Sequence, residues 1–125
     1  MKTLVQPRPA LTAKFEALAA LENGWFEGRG LAPDKTQLAF VAEKWSDNYP
    51  GNLPLPFVAP TPEGNLLFEW DAPGSPSVDL ELASLTAEFH ALAPDSSDIE
   101  RDFKLKSDDD WRAFFDFLSE NVSAP

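Results

Sequence analysis

Residues 60–70, Pro-Thr-Pro-Glu-Gly-Asn-Leu-Leu-Phe-Glu-Trp, constrain the fold more than any other stretch of this chain. The proline-containing run breaks at Glu63-Gly64, and the residues that follow alternate. Leu66, Phe68 and Trp70 share one parity; Leu67, Glu69 and Asp71 share the other. Successive side chains of a strand leave opposite faces, so this alternation predicts a half-buried strand entered through a tight turn. The sheet it joins has one dry face and one wet face, and the wet face is acidic.

The same reading extends along the chain. Pro73-Gly74-Ser75-Pro76 marks a second turn, after which Val78, Leu80 and Leu82 alternate with Asp79 and Glu81. Leu85, Ala87, Phe89 and Ala91 then alternate with Glu88 and His90, and Ile99–Leu105 brings Phe103 and Leu105 to the core side. Upstream, Pro54, Pro56, Pro60 and Pro62 share a single parity. If Leu53–Pro62 is extended, every missing N–H lies on one edge, which describes an edge strand blunted against further pairing; polyproline II is the competing form.

Three helices accompany these strands. A first is predicted from Thr12 (N-cap) to Glu22, with Leu11, Phe15, Leu18 and Leu21 on one stripe and Asn23-Gly24 ending it. Asp34 with Gln37 opens a second that runs to Asn48 and buries Leu38, Val41, Trp45 and Tyr49. Ser107 with Asp110 opens a third, whose stripe is Trp111, Phe114, Phe115, Leu118 and Val122. The fold class expected is α+β: an antiparallel meander of four to five strands, with three helices, two N-terminal and one C-terminal, packed on one face. Residues 1–10 are expected as a flexible arm and residues 11–122 as a single domain, a size that supports a core without cross-links.

Charge separates the two halves of the chain. Residues 1–62 balance six acids with six bases, while residues 63–110 carry thirteen acids against Arg101, Lys104 and Lys106. Ten of the eleven net negative charges therefore belong to the predicted sheet and the entry to the last helix. Such a field disfavours nucleic acid and anionic lipid as partners and favours a basic one. The chain lacks cysteine, which excludes thiol chemistry and disulfides. Gln6-Pro7-Arg8-Pro9 interrupts the start of the chain, against a signal peptide, and no segment reaches the about 20 apolar residues of a membrane span. A cytoplasmic protein is expected.

Few residues suggest chemistry. His90, the single histidine, shares a face with Glu88, and with Glu69 and Glu81 on adjacent strands. An imidazole among carboxylates suits a divalent metal or a general base, but alternation already places these positions in solvent. Neither a catalytic residue, a metal nor a cofactor is assigned. Gly24-Trp25-Phe26-Glu27-Gly28-Arg29-Gly30 lacks the preceding strand and following Lys-Ser/Thr of a phosphate-binding loop. Trp25 and Phe26 are expected to plug the end of the core, the alternative being an aromatic anchor for a partner beside Arg29.

The run Asn-Gly-Trp-x-x-Gly-x-Gly-x-x-Pro at residues 23–33, Pro-x-x-x-Pro at 56–60 and Pro-x-Gly-x-Leu-x-Phe-Glu-Trp at 62–70 complete the motif set. Together they resemble a family of small uncharacterised bacterial proteins with a Gly-Trp-…-Gly-…-Ala-Pro loop and a later Glu/Asp-Gly-…-Glu-Trp strand. The resemblance covers residues 15–92 and implies a bacterial accessory domain without an assigned activity. From the residues themselves the expected function is a protein-interaction module, with its own copy or another protein as partner. Glu69, Glu81, Glu88 and His90 on the sheet face, or Trp25, Phe26 and Arg29 in the loop, would make the contact. The alternatives are an inhibitor, antitoxin-like or DNA-mimicking protein, and a metal-dependent enzyme using His90 with the sheet carboxylates.

Overall fold

A computed structural model describes residues 7–122, with side chains from Leu11 onward. Its elements in chain order are α1 (Pro7–Ala19), α2 (Lys35–Asn48), β1 (Phe57–Pro60), β2 (Leu66–Glu69), β3 (Ser77–Glu81), β4 (Thr86–Leu92), β5 (Asp98–Lys104) and α3 (Asp108–Asn121). The strands pair antiparallel in sequence order, β1-β2-β3-β4-β5, so the sheet is a five-stranded meander. Two helices precede it and one follows. This is the α+β architecture that the alternation and the helical stripes predict.

The core follows from parity. Leu66 and Phe68 of β2, Val78 and Leu80 of β3, and Ala87, Phe89 and Ala91 of β4 all turn to the helical layer and are buried. Trp70 and Leu82, just past their strands, are buried with them, whereas Phe103 of β5 is only half-buried. Leu38, Val41 and Trp45 of α2 and Trp111, Phe114, Phe115 and Leu118 of α3 close over this face. Trp45 stacks on Phe68 with ring centroids 4.0 Å apart and planes within 8°, while Phe114 and Phe115 meet it edge-on. Both helix starts use the expected caps: Gln37 N donates to Asp34 Oδ1, and Ser107 and Asp110 form a reciprocal capping box.

α1 begins earlier than the sequence suggests. Thr12, expected as its N-cap, lies inside the helix, which already runs from Pro7 and ends at Ala19. The reason is the burial of Leu11 at 0% exposure: it shares a stripe with Phe15 and Leu18 and reaches the core only if the backbone is already helical there. Prolines at the start cost little, since the first-turn N–H groups have no intrahelical partner. Residues 7–10 of the expected arm therefore belong to α1, and residues 1–6 lie outside the described residues.

Only part of the proline-rich segment is a strand. Phe57–Pro60 pairs with β2 as an edge strand, and Leu53–Pro56 does not pair. Thr61 N donates to Asn65 O at 2.9 Å, so odd-numbered residues direct their main-chain groups toward β2. Pro60 consequently faces outward, where its missing N–H removes a donor from the open edge. A buried polar knot pins the preceding turn. Trp70 Nε1 donates to Pro54 O at 2.9 Å and contacts Tyr49 Oη at 3.2 Å, and the Tyr49 hydroxyl donates to the same carbonyl.

Candidate functional site: an acidic open sheet face

The helices cover only the inner face of the sheet, so the outer face shows what the cross-strand register brings together. Its middle row reads Ala59, Leu67, Asp79, Glu88 and Asp102, each directly opposite the next. Three consecutive strands thus set carboxylates side by side. Like charges in that relation repel, and cross-strand pairs are the unit of sheet energetics. The row carries no base. Lys104 lies in the adjacent row, opposite Thr86, and Arg101 has the opposite parity: its guanidinium sits 5.3 Å from the Phe103 and Phe117 ring centroids on the other side of the sheet. A groove of about 650 Å³ crosses the face from Thr61 and Glu63 to Asp102 and Lys104, passing Asp79, Glu81 and Glu88.

The second outer row reads Phe57, Glu69, Ser77, His90 and Glu100. Here the structure corrects the neighbours expected for His90. Glu81 is not among them: it sits at the far end of β3 opposite Thr86 and accepts a hydrogen bond from Ser84 Oγ at 2.8 Å. Glu69 shares the row of His90, but Ser77 lies between them, and Glu88 is two residues away along β4. The groups that meet the imidazole come from β5. His90 Nε2 lies 3.4 Å from Asp98 Oδ1, and one ligand atom each from His90, Asp98 and Glu100 fall within 4.8 Å of one another. That set has the donor types for a divalent cation, held at an exposed corner.

Asp98 and Glu100 were missed as site residues although parity could have found Glu100, which is in phase with Asp102. Asp98 depends on the register across the turn at residues 93–97, where Ala93 N donates to Ser97 O and Asp95 accepts from Ser97 N and Oγ. These bonds hold the Asp95 carboxyl below the usual carboxylate range.

The glycine loop also departs from expectation. Trp25 and Phe26 do not plug the core: Trp25 is half-buried and Phe26 is 47% exposed. The loop folds on itself as a miniature hairpin, with Phe26 and Arg29 exchanging main-chain hydrogen bonds of 2.8 and 2.9 Å. Trp25 Nε1 donates to Leu31 O at 2.8 Å, and its ring packs 5.6 Å from that of Phe26. Gly30, at φ +89°, is required there, since a Cβ would come within 3.2 Å of the Trp25 indole nitrogen. Phe26, Arg29 and Leu31 are left exposed together.

No family model, curated protein or solved structure matches this chain. Among the described residues no helix is long and apolar enough to cross a membrane.

Proposed function

We propose that this protein is an interaction module whose acidic outer sheet face docks a basic partner protein. The observation that carries this reading is the in-register row Asp79–Glu88–Asp102. Solubility requires charge, but scattered charge of both signs serves it without mutual repulsion. A row of three carboxylates on adjacent strands destabilises the isolated sheet, and the arrangement becomes favourable once a cationic surface covers it. The flanking Glu69, Glu81 and Glu100 widen the negative field, and the groove lined by Asp79, Glu81, Glu88 and Asp102 lies within it. Focused fields of this kind speed the encounter with an oppositely charged partner.

The test is co-purification from the native host followed by binding kinetics at graded salt. Association with the recovered partner is expected to be fast at low salt and to slow steeply as salt rises. The variant carrying Glu69→Gln, Glu81→Gln and Glu88→Gln together should bind more weakly while melting no lower than the parent. Unchanged affinity in that variant would reduce the acidity to a solubility feature and refute the docking face.

A further inference from the structure

The two edges of the sheet are built in opposite ways. β1 is four residues long and turns Pro60 outward. β5, at the other edge, is seven residues long and contains no proline. Its hydrogen-bonding phase follows from its ends: Leu105 N donates to Leu85 O at 2.8 Å, and Ala93 N donates to Ser97 O at 2.9 Å. Odd-numbered residues of β5 therefore pair with β4, and Asp98, Glu100, Asp102 and Lys104 direct their N–H and C=O groups to the open side. No described residue bonds to those main-chain groups. The same four side chains lie on the outer face, all exposed.

We infer that the β5 edge accepts an extended basic segment of a partner as a sixth, antiparallel strand. This rests on the acidic-face reading above and specifies its mode. Open donors and acceptors recur about 6.8 Å apart along β5, the repeat of an extended chain. A guest strand there sets alternate side chains directly opposite Asp98, Glu100 and Asp102, continuing the rows that end in Asp102 and Glu100. Cationic residues at those three positions neutralise the face. The intervening guest residues fall opposite Ile99, Arg101 and Phe103; Ile99 and Phe103 are half-buried at the rim of the core and favour apolar neighbours.

A second copy of this chain fits poorly. Two-fold pairing centred on Arg101 sets Arg101 against itself and Glu100 against Asp102, offset only by Asp98 against Lys104 at the strand ends, while centring on Glu100 or Asp102 sets a carboxylate against itself. The charges disfavour self-pairing while leaving the main-chain groups free for a cationic guest.

The probe is the peptide acetyl-Ser-Val-Lys-Thr-Lys-Val-Lys-amide, compared at low salt with a scrambled peptide of the same composition that groups its lysines. The alternating peptide is expected to bind at least about tenfold more tightly and to protect the Glu100 and Asp102 amides from hydrogen exchange. Backbone N-methyl groups on its lysines should abolish the preference. Glu100→Pro in the protein, which removes an outward N–H without touching the β4 ladder, should do the same, whereas Glu100→Gln should keep it. Equal binding of both peptides without amide protection would overturn strand addition and leave the acidic docking face standing. Binding of neither would sink both. A dimer of the free protein that Glu100→Pro disperses would also overturn the proposal, by showing a second copy as the occupant.

Discussion

Replacing Glu88 with Gln should make this protein more stable, and the gain should vanish in salt. Glu88 has Asp79 directly opposite on one side and Asp102 on the other. Directly opposed side chains begin from Cβ atoms about 5 Å apart. At that separation two unit charges in water repel by about 0.8 kcal/mol. Two such contacts give about 1.6 kcal/mol as an upper figure, which exposed, flexible carboxylates reduce by bending apart. Measured cross-strand pairs span about 0.2–1 kcal/mol each, so Glu88→Gln should gain about 0.5–1.5 kcal/mol at low ionic strength. For a domain of this size that is a rise of about 2–6 °C in Tm. In 1 M salt the Debye length falls to about 3 Å, shorter than the separation, and parent and variant should converge. Thermal unfolding followed by circular dichroism at both salt concentrations measures this, with Glu16→Gln on the charge-balanced half as control. A Glu88→Gln protein that melts lower than the parent, or keeps the same gain in 1 M salt, would refute the repulsive row.

Three further outcomes are expected. Trp70→Ala removes a buried ring, together with its bonds to Pro54 O and Tyr49, and should cost about 3–5 kcal/mol in urea unfolding; a melt within a degree or two of the parent would show that the inner face is wrongly assigned. Burial pushes the hydroxyl of Tyr49, the sole tyrosine, well above its usual value, so the stability it contributes is present below about pH 10 and lost as pH rises beyond. Tyrosinate absorbance should therefore appear only with alkaline unfolding, and Tyr49→Phe should flatten that pH dependence; ionisation within the folded state would contradict it. Zinc at the exposed corner of His90, Asp98 and Glu100 should bind with a Kd above about 1 μM and be lost in His90→Ala, whereas tighter binding by calorimetry, lost in that variant, would overturn a merely solvated corner and favour metal-dependent chemistry.

Local periodicity made most of the fold legible. β2 to β5 were visible because their core side chains keep parity, whereas β1, with no fully buried side chain, fits an edge strand or polyproline II. α2 and α3 were visible because Asp34, Ser107 and Asp110 mark their starts. α1 was misread because Thr12 is a good cap by type, and only the burial of Leu11 shows the helix already running before it. The acidic face was legible as a set of residues but not as rows. Parity says that Asp79, Glu88 and Asp102 share a face; that they stand shoulder to shoulder depends on the lengths of two turns. The same limit misdirected His90 toward Glu81 and away from Asp98. For Trp25 and Phe26, aromatic character suggested burial, but a loop with three glycines satisfies its own hydrogen bonds and has no need of the core.

The meander also sets the order in which contacts can form. Every strand pair joins chain neighbours, so the sheet assembles through short loop closures, whereas the seam between α2 and α3 joins segments more than sixty positions apart, with Lys44 Nζ donating to Asp108 Oδ1 at 2.8 Å. During synthesis β4 and β5 leave the ribosome ahead of α3, with Phe89 and Phe103 not yet covered by Phe114 and Phe117. At that moment the nascent chain displays a sticky inner surface beside an unpaired edge. The carboxylates that repel one another in the finished sheet also repel neighbouring nascent copies, and so guard the interval before the last helix docks.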